Sequence, residues 1–305
     1  MLAKVYGIAS MKTVTLYLML PGMVVLLTFW IWAIKSGQSQ LSRDLIIGFL
    51  GGLAGTIAYD LARVPFTFSG QRIFAPISAY GIWLLDSATS SRLTELVGWS
   101  YHFSNGITFG IMYALLSPGR HFVYAIIWAG LLETIAILSP FATIFHLSGN
   151  YQAIAIAYLG HLAYGLPLGL MIQKPEKTWN FTNQYRYVLL ASLSMATAMA
   201  ALWLLTAPSM RERDARVQPQ TFRVEGKALN PDWLRIENHE QIKIDNSQSD
   251  AISVRVKQTN QTMQVESEQV VPMRFEKTGI YQIFIETDAM TRSSFIIVEP
   301  VEINK

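Results

Sequence analysis

Two stretches of the 305-residue chain place a histidine and two glycines at intervals of four: His102, Gly106, Gly110 and His161, Gly165, Gly169. On a helix that spacing sets all three residues on one face, a turn apart, so each stripe carries one imidazole at its head and two small residues beyond it. Three more ionisable groups lie in equally apolar surroundings: Glu133, and the pair Asp60 and Arg63; His146 closes the stretch that holds Glu133. Ionisable groups at membrane depth are costly and are functional candidates for that reason. Neutral imidazole binds haem iron and transition-metal ions. His102 and His161 are therefore nominated as ligands of haem b or a transition metal, with Glu133 and His146 as further metal donors. The competing reading needs no cofactor: each histidine donates a hydrogen bond across a helix contact, and Glu133 is held by Thr134, His161 or a backbone carbonyl. Asp60 and Arg63, three apart on one helical face, read as a local ion pair from which Arg63 reaches toward lipid headgroups. The chain contains no cysteine, which excludes disulfides, thiolate metal sites, iron–sulfur clusters and cysteine nucleophiles.

The elements that must position these groups are apolar. Hydrophobic residues make up 51% of the chain and charged residues 15%, and the mean hydropathy of +0.29 favours a membrane protein. Crossing the hydrocarbon core takes about 20 apolar residues in a helix, since backbone groups there find no water. Six stretches meet that requirement: 14–34, 45–64, 98–117, 121–143, 152–172 and 187–207. Residues 72–92 are broken by Pro76 and Gly81 and read as re-entrant or interfacial. The first run, following Lys4 and Lys12, reads as a retained anchor. Lys174, Lys177 and Arg186 in the 173–186 loop, against no cation in the 144–151 loop, place that loop in the cytoplasm and the C-terminal domain outside. Arg211, Arg213 and Arg216 run against this bias, and the side of the N-terminus depends on whether 74–88 counts as a seventh span. The location this implies is the bacterial inner (cytoplasmic) membrane, with a multi-pass chain. A net charge of +3 with no basic, aromatic-interleaved run excludes a nucleic-acid partner.

The bundle carries an internal repeat. Gly-Leu-x-x-Thr-Ile-Ala occurs at Gly52 to Ala58 and again at Gly130 to Ala136, each followed by one of the two histidine-headed glycine stripes. The expectation is a duplicated two-helix unit, with Glu133 standing where the first copy has Gly55. Small residues four apart let helix backbones approach in lipid, so Gly106, Gly110, Gly165 and Gly169 are expected at helix contacts.

After about residue 210 the pattern changes. Residues 211–217 read as a charged tether, and from 218 to 305 short runs alternate apolar and polar side chains: Phe222-Arg-Val224, Leu234-Arg-Ile236, Ile242-Lys-Ile244, Ile252-Ser-Val254-Arg-Val256, Tyr281-Gln-Ile283-Phe-Ile285 and Phe295-Ile-Ile297. Separated by Asn-Pro, Asn-Ser, Thr-Asn and Thr-Gly turns, they predict a small antiparallel β-sandwich. The early Phe-Arg-Val strand, the strand from Glu240 ending in Asn246, and the Thr278-Gly279-Ile280-Tyr281 corner before a last hairpin resemble the cupredoxin fold over about the last 85 residues. That resemblance implies a histidine after the Asn-ended strand and a Cys, His and Met cluster after the corner. Here those stretches read Ser-Gln-Ser-Asp-Ala-Ile and Gln-Ile-Phe-Ile-Glu-Thr-Asp-Ala-Met290, and the domain's one histidine, His239, lies elsewhere. A blue-copper centre needs a thiolate and two imidazoles, so no blue-copper site is expected. The membrane half is similar in texture to bacterial polytopic membrane proteins.

No Ser/His/Asp arrangement, phosphate-cradling loop or HExxH pair can be placed, so the chain does not read as an enzyme. It reads as a membrane helical bundle followed by a metal-free, cupredoxin-like all-β domain that binds a membrane or periplasmic protein partner, as an accessory, assembly or sensing subunit. No cofactor is required. The alternative is haem or metal binding by the intramembrane histidines, in electron transfer or metal transport.

Overall fold

A computed structural model describes residues 1–68, 73–87, 90–173, 220–226, 228–231, 233–247, 249–287 and 290–299. The expected sixth span at 187–207, the 211–217 tether and the basic residues of the 173–186 loop lie outside the described residues.

Helices fill the N-terminal part: α1 (Leu2–Val5), α2 (Met11–Val14), α3 (Leu20–Lys35), α4 (Ser39–Arg63), α5 (Ala75–Leu85), α6 (Arg92–Leu116), α7 (Val123–Leu138), α8 (Phe141–Ile144) and α9 (Tyr151–Ile172). A π-helical turn over Thr15–Met19 joins α2 to α3 ahead of Pro21, a residue that cannot complete the regular helical ladder. Among the described residues three helices are long and apolar enough to cross a membrane: Met11–Lys35, Ser39–Thr67 and Tyr151–Ile172. Of the six expected spans, the one at 187–207 lies outside the described residues, and the residues explain why 98–117 and 121–143 do not meet that criterion. α6 has the length but carries Glu95, His102 and Asn105, and α7 stops at Ser139–Pro140 rather than running on to 143. α3 buries only Ala33, leaving Val24 and Val25 63% and 67% exposed, and Leu131, Ile135, Leu138, Leu162 and Leu166 form a similar apolar surface on α7 and α9. Surfaces of this kind are stable against lipid and not against water.

Glycines set the helix order. α6 packs on α4, where a Cβ at Gly52 would lie 2.6 Å from the Gly106 carbonyl and one at Gly110 would lie 2.5 Å from the Gly48 carbonyl. α9 packs on the other side of α4 through Gly55 and Tyr164, and α7 packs on α9, with Gly165 against Ile126 and Gly169 against Phe122. All four stripe glycines thus face the helix that opens their own hairpin. At 11 residues, or about 16 Å, α5 is too short to span; it is buried against α6 where Gly81 meets the Thr94 carbonyl and Gly98 meets the Ile77 carbonyl. Ser91 caps α6 through a reciprocal hydrogen-bond pair with Thr94.

Among the described residues nine strands build the C-terminal domain: β1 (Thr221–Glu225), β2 (Ala228–Asn230), β3 (Trp233–Glu237), β4 (Gln241–Asp245), β5 (Ile252–Val256), β6 (Gln261–Val265), β7 (Val270–Arg274), β8 (Gly279–Thr287) and β9 (Met290–Glu299). They form two sheets, ordered β2-β1-β4-β7 and β3-β9-β8-β5-β6. Most neighbours are antiparallel, but β1 with β4 and β3 with β9 run parallel. Phe222, Val224, Ile242 and Ile244 of the first sheet pack against Val254, Ile283, Ile285, Ile296 and Val298 of the second. β8 and β9 are buried on their other face as well: Trp233, Ile280, Phe295 and Ile297 join Trp83, Phe141, Ile144 and Leu147 in a second core between the sandwich and the helices. A sheet covered on both sides reads as continuous apolar sequence, as Phe295-Ile-Ile-Val298 does.

Candidate functional site

Between the helices and the sandwich lies a cavity of about 1030 Å³. Tyr59, Arg63, His102, Glu133 and His161 line its helical end, and His146, Gln282 and Phe295 line it where it meets the β domain.

Asp60 is fully buried on the last turns of α4. Both of its carboxylate oxygens face His102 Nε2, at 3.1 and 3.0 Å, and Oδ1 also accepts from Arg63 Nη2 at 3.2 Å. A ring nitrogen that faces two carboxylate oxygens must carry a proton, so in a neutral His102 ring Nδ1 is the acceptor. Arg63 is 6% exposed, lies with its guanidinium carbon 3.8 Å from the centre of the Tyr59 ring, and donates from Nη1 to the Ile73 carbonyl at 3.3 Å. The Asp60–Arg63 pair is as expected, but Arg63 does not reach out to headgroups: the i, i+4 spacing from Tyr59 gives it a ring to stack on inside the bundle. Its Nε has no hydrogen-bond partner among the described residues.

Glu133, on α7, is 3% exposed. His161 Nδ1 lies 3.1 Å from Glu133 Oε2 and 3.0 Å from the Ala157 carbonyl. Both neighbours are acceptors, so Nδ1 carries the proton and Nε2 is the free acceptor of the neutral ring. Glu133 Oε1 is buried with no partner among the described residues. The Tyr59 ring stands between the two histidines, its centre 5.7 Å from that of His102 and 4.9 Å from that of His161. Tyr59 carried no signal in the spacing of the histidines; its offset of four from Arg63 was the available one.

His146 does not join this group. It follows α8 with a φ of +54° and packs edge-on against Tyr281 of the sandwich, ring centres 4.7 Å apart. Its Nε2 is buried without a partner among the described residues, and burial pushes the imidazole pKa down to about 4. Among the described residues no group of three or more His, Cys, Asp or Glu side chains is placed to hold a metal ion.

An anchor on Glu299 holds the sandwich in position. Its carboxylate accepts from Trp83 Nε1 of α5, lies 2.8 Å from Arg235 Nε and 3.6 Å from Lys4 Nζ; Arg235 also bridges to Asp86 at 3.2 Å. Burial works against the Arg235 charge, but Glu299 and Asp86 together raise its pKa above the ordinary value. These residues are far apart in sequence, which is why no motif flagged them.

No family model matches the chain, and no curated protein matches it. Among solved structures, an oxidised amicyanin variant is similar at 12% identity over 26% of this chain and 81% of its own, with a TM-score of 0.24. A purple cupredoxin from Nitrosopumilus maritimus is similar at 12% identity over 26% of this chain and 99% of its own, with a TM-score of 0.23. A chain of a haem-copper terminal oxidase dimer is similar at 16% identity over 38% of this chain and 98% of its own, with a TM-score of 0.22. These structural neighbours are two cupredoxins and a terminal oxidase chain. The residues present do not fit a blue-copper ion. Asn246 uses its amide to hold the Asp250, Val265 and Glu266 carbonyls, and beyond Tyr281 the positions Ile283 and Ile285 are sandwich core.

Proposed function

We propose that the chain is a non-catalytic, multi-pass protein of the bacterial inner membrane, an accessory, assembly or sensing subunit whose metal-free cupredoxin-like domain stands outside the cytoplasm and meets a membrane or periplasmic protein partner. One observation carries this reading: the cavity is walled by both halves of the molecule. A ligand inside it touches Glu133 and His161 on one side and Gln282 and Phe295 on the other, so occupancy is linked to the posture of the sandwich. The sheet turned away from the helices offers a polar face, with Arg223, Lys243 and Arg274 pointing out of the core, which suits contact with a partner.

Native membranes solubilised in mild detergent should yield the chain in a complex larger than itself, colourless through the near-ultraviolet and visible range. Haem or metal binding is the second reading, supported by two imidazoles that are each oriented by a carboxylate, as metal-bound histidines commonly are. A Soret band or stoichiometric metal in the purified chain, lost in both His102→Ala and His161→Ala, would replace the first reading with the second.

A further inference from the structure

We propose that the helical end of the cavity binds the head of a protonated organic amine, whose apolar part lies along the aromatic walls. The assignment rests on the reading that the cavity takes a ligand, and it follows from what the site leaves unpaired. Glu133 Oε1 is a buried acceptor with no partner among the described residues, in a side chain that lines the cavity. The tautomers fixed by Asp60, Glu133 and the Ala157 carbonyl leave His102 Nδ1 and His161 Nε2 as acceptors too. Of the nearby donors, the terminal nitrogens of Arg63 serve Asp60 and the Ile73 carbonyl, and only Nε, in the guanidinium stacked over Tyr59, lacks an acceptor.

The charge at the site points the same way. With Asp60 and Glu133 ionised, Arg63 charged and both rings neutral, the group would carry one negative charge in excess. A buried, uncompensated carboxylate is costly until a cation or a proton meets it. An ammonium head supplies one positive charge and three N–H donors. An alcohol supplies a donor without the charge, a quaternary ammonium supplies the charge without a donor, and a carboxylate is repelled. Tyr59 adds a ring face for the cation, and Phe109, Phe145, Tyr80, Tyr101 and Tyr164 line the cavity beyond it. A volume near 1030 Å³ accommodates an arylalkyl or alkyl body, at the upper end of the range for small-molecule sites.

The test uses the full chain in detergent at neutral pH and four probes of one skeleton: 2-phenylethylamine, its N,N,N-trimethyl derivative, 2-phenylethanol and phenylacetate. Binding is read by tryptophan fluorescence and by the shift in melting temperature. The amine is expected to bind saturably and at least about tenfold more tightly than the alcohol, the difference made by one charge-assisted hydrogen bond, with the trimethyl derivative between them. Glu133→Gln should bring the amine down to the affinity of the alcohol and leave the alcohol unchanged. Equal binding of amine and alcohol to the unaltered chain overturns the amine assignment while leaving the ligand cavity standing, and tightest binding of phenylacetate overturns the charge reasoning outright. Should none of the four bind, the ligand-cavity reading falls with it. The comparison on the unaltered chain decides the matter even where Glu133→Gln does not fold.

Discussion

The hairpin α4/α6 and the hairpin α7/α9 each set a carboxylate against a histidine at the head of a glycine stripe, and the two sites differ in one respect that governs what each can do. Asp60 is closed: both oxygens meet His102, one of them also meets Arg63, and the arginine is stacked on Tyr59. Glu133 is open, with Oε2 on His161 and Oε1 on nothing among the described residues. Residue type alone therefore does not mark a buried carboxylate as closed or open; the partners of its two oxygens do. A buried ion pair is strongly destabilised when one partner is removed, because the other charge is stranded. A carboxylate without such a partner can lose its charge at little cost.

Neutralising the two carboxylates in turn sharpens the contrast most. Asp60→Asn should destabilise the solubilised protein by about 3–5 kcal/mol, because Arg63 stays buried without its counter-charge. Glu133→Gln should cost less than about 1 kcal/mol, since His161 Nδ1 keeps its hydrogen bond to the Ala157 carbonyl and no cation is left stranded. Thermal or detergent-induced unfolding of the two variants side by side checks the pair, and a larger loss for Glu133→Gln would reverse the assignment of closed and open sites.

The glycines offer a second contrast of smaller size. Gly52 and Gly130 hold the same place in the sequence repeat, yet a Cβ at Gly52 would lie 2.6 Å from the Gly106 carbonyl, whereas at Gly130 nothing comes within 4 Å. Gly52→Ala should cost about 1–3 kcal/mol through overpacking against backbone. Gly130→Ala should be neutral or stabilising by up to about 1 kcal/mol, as alanine is the better helix former. Equal costs in the unfolding assay would mean that the two hairpins pack alike after all.

Spacing made the stripes legible because a glycine face in lipid has one physical use, close helix contact, and an imidazole four residues before it is carried to the same seam. It did not make the register legible. Gly106 meets Thr56, but Gly165 meets Ile126, which aligns with Gly48, about two turns from Thr56, when the two Gly-Leu-x-x-Thr-Ile-Ala runs are superposed. The closure of Asp60 was half visible in the i, i+3 spacing to Arg63, whereas its bond to His102 joins residues 42 apart and follows only from the α4/α6 contact. Alternation located the strands of the sandwich, yet the places where alternation fails carried a further message. Ile280, Phe295 and Ile297 occupy outward positions that would be polar on a solvated face, and they are apolar because the helices cover them. Glu299, the anchor of that contact, lies in an ordinary strand end and becomes distinctive only when Trp83, Arg235 and Lys4 surround it.

The smallest effect concerns the segments that connect each hairpin. The first connector offers α5, with Trp83 and Asp86 held to Glu299 and Arg235 by charge and hydrogen bonds; the second offers α8 and His146, held to Tyr281 by packing alone. Only the second should respond to mild acid. The folded His146 has its pKa lowered to about 4 by burial, below the ordinary value of about 6.5, so the unfolded or undocked chain takes up the proton first as pH falls. Stability is therefore unaffected above about pH 6.5 and declines between about pH 6.5 and 4, by on the order of 1 kcal/mol at pH 5.5. Tyr281 stays neutral across this window, since burial raises its pKa, and takes no part. His146→Gln should flatten this decline while leaving stability at pH 7.5 nearly unchanged, as read by protease sensitivity and hydrogen exchange at β8. An unaltered acid response in the variant would move the sensitivity to the Glu299 anchor and remove the distinction between the two connectors.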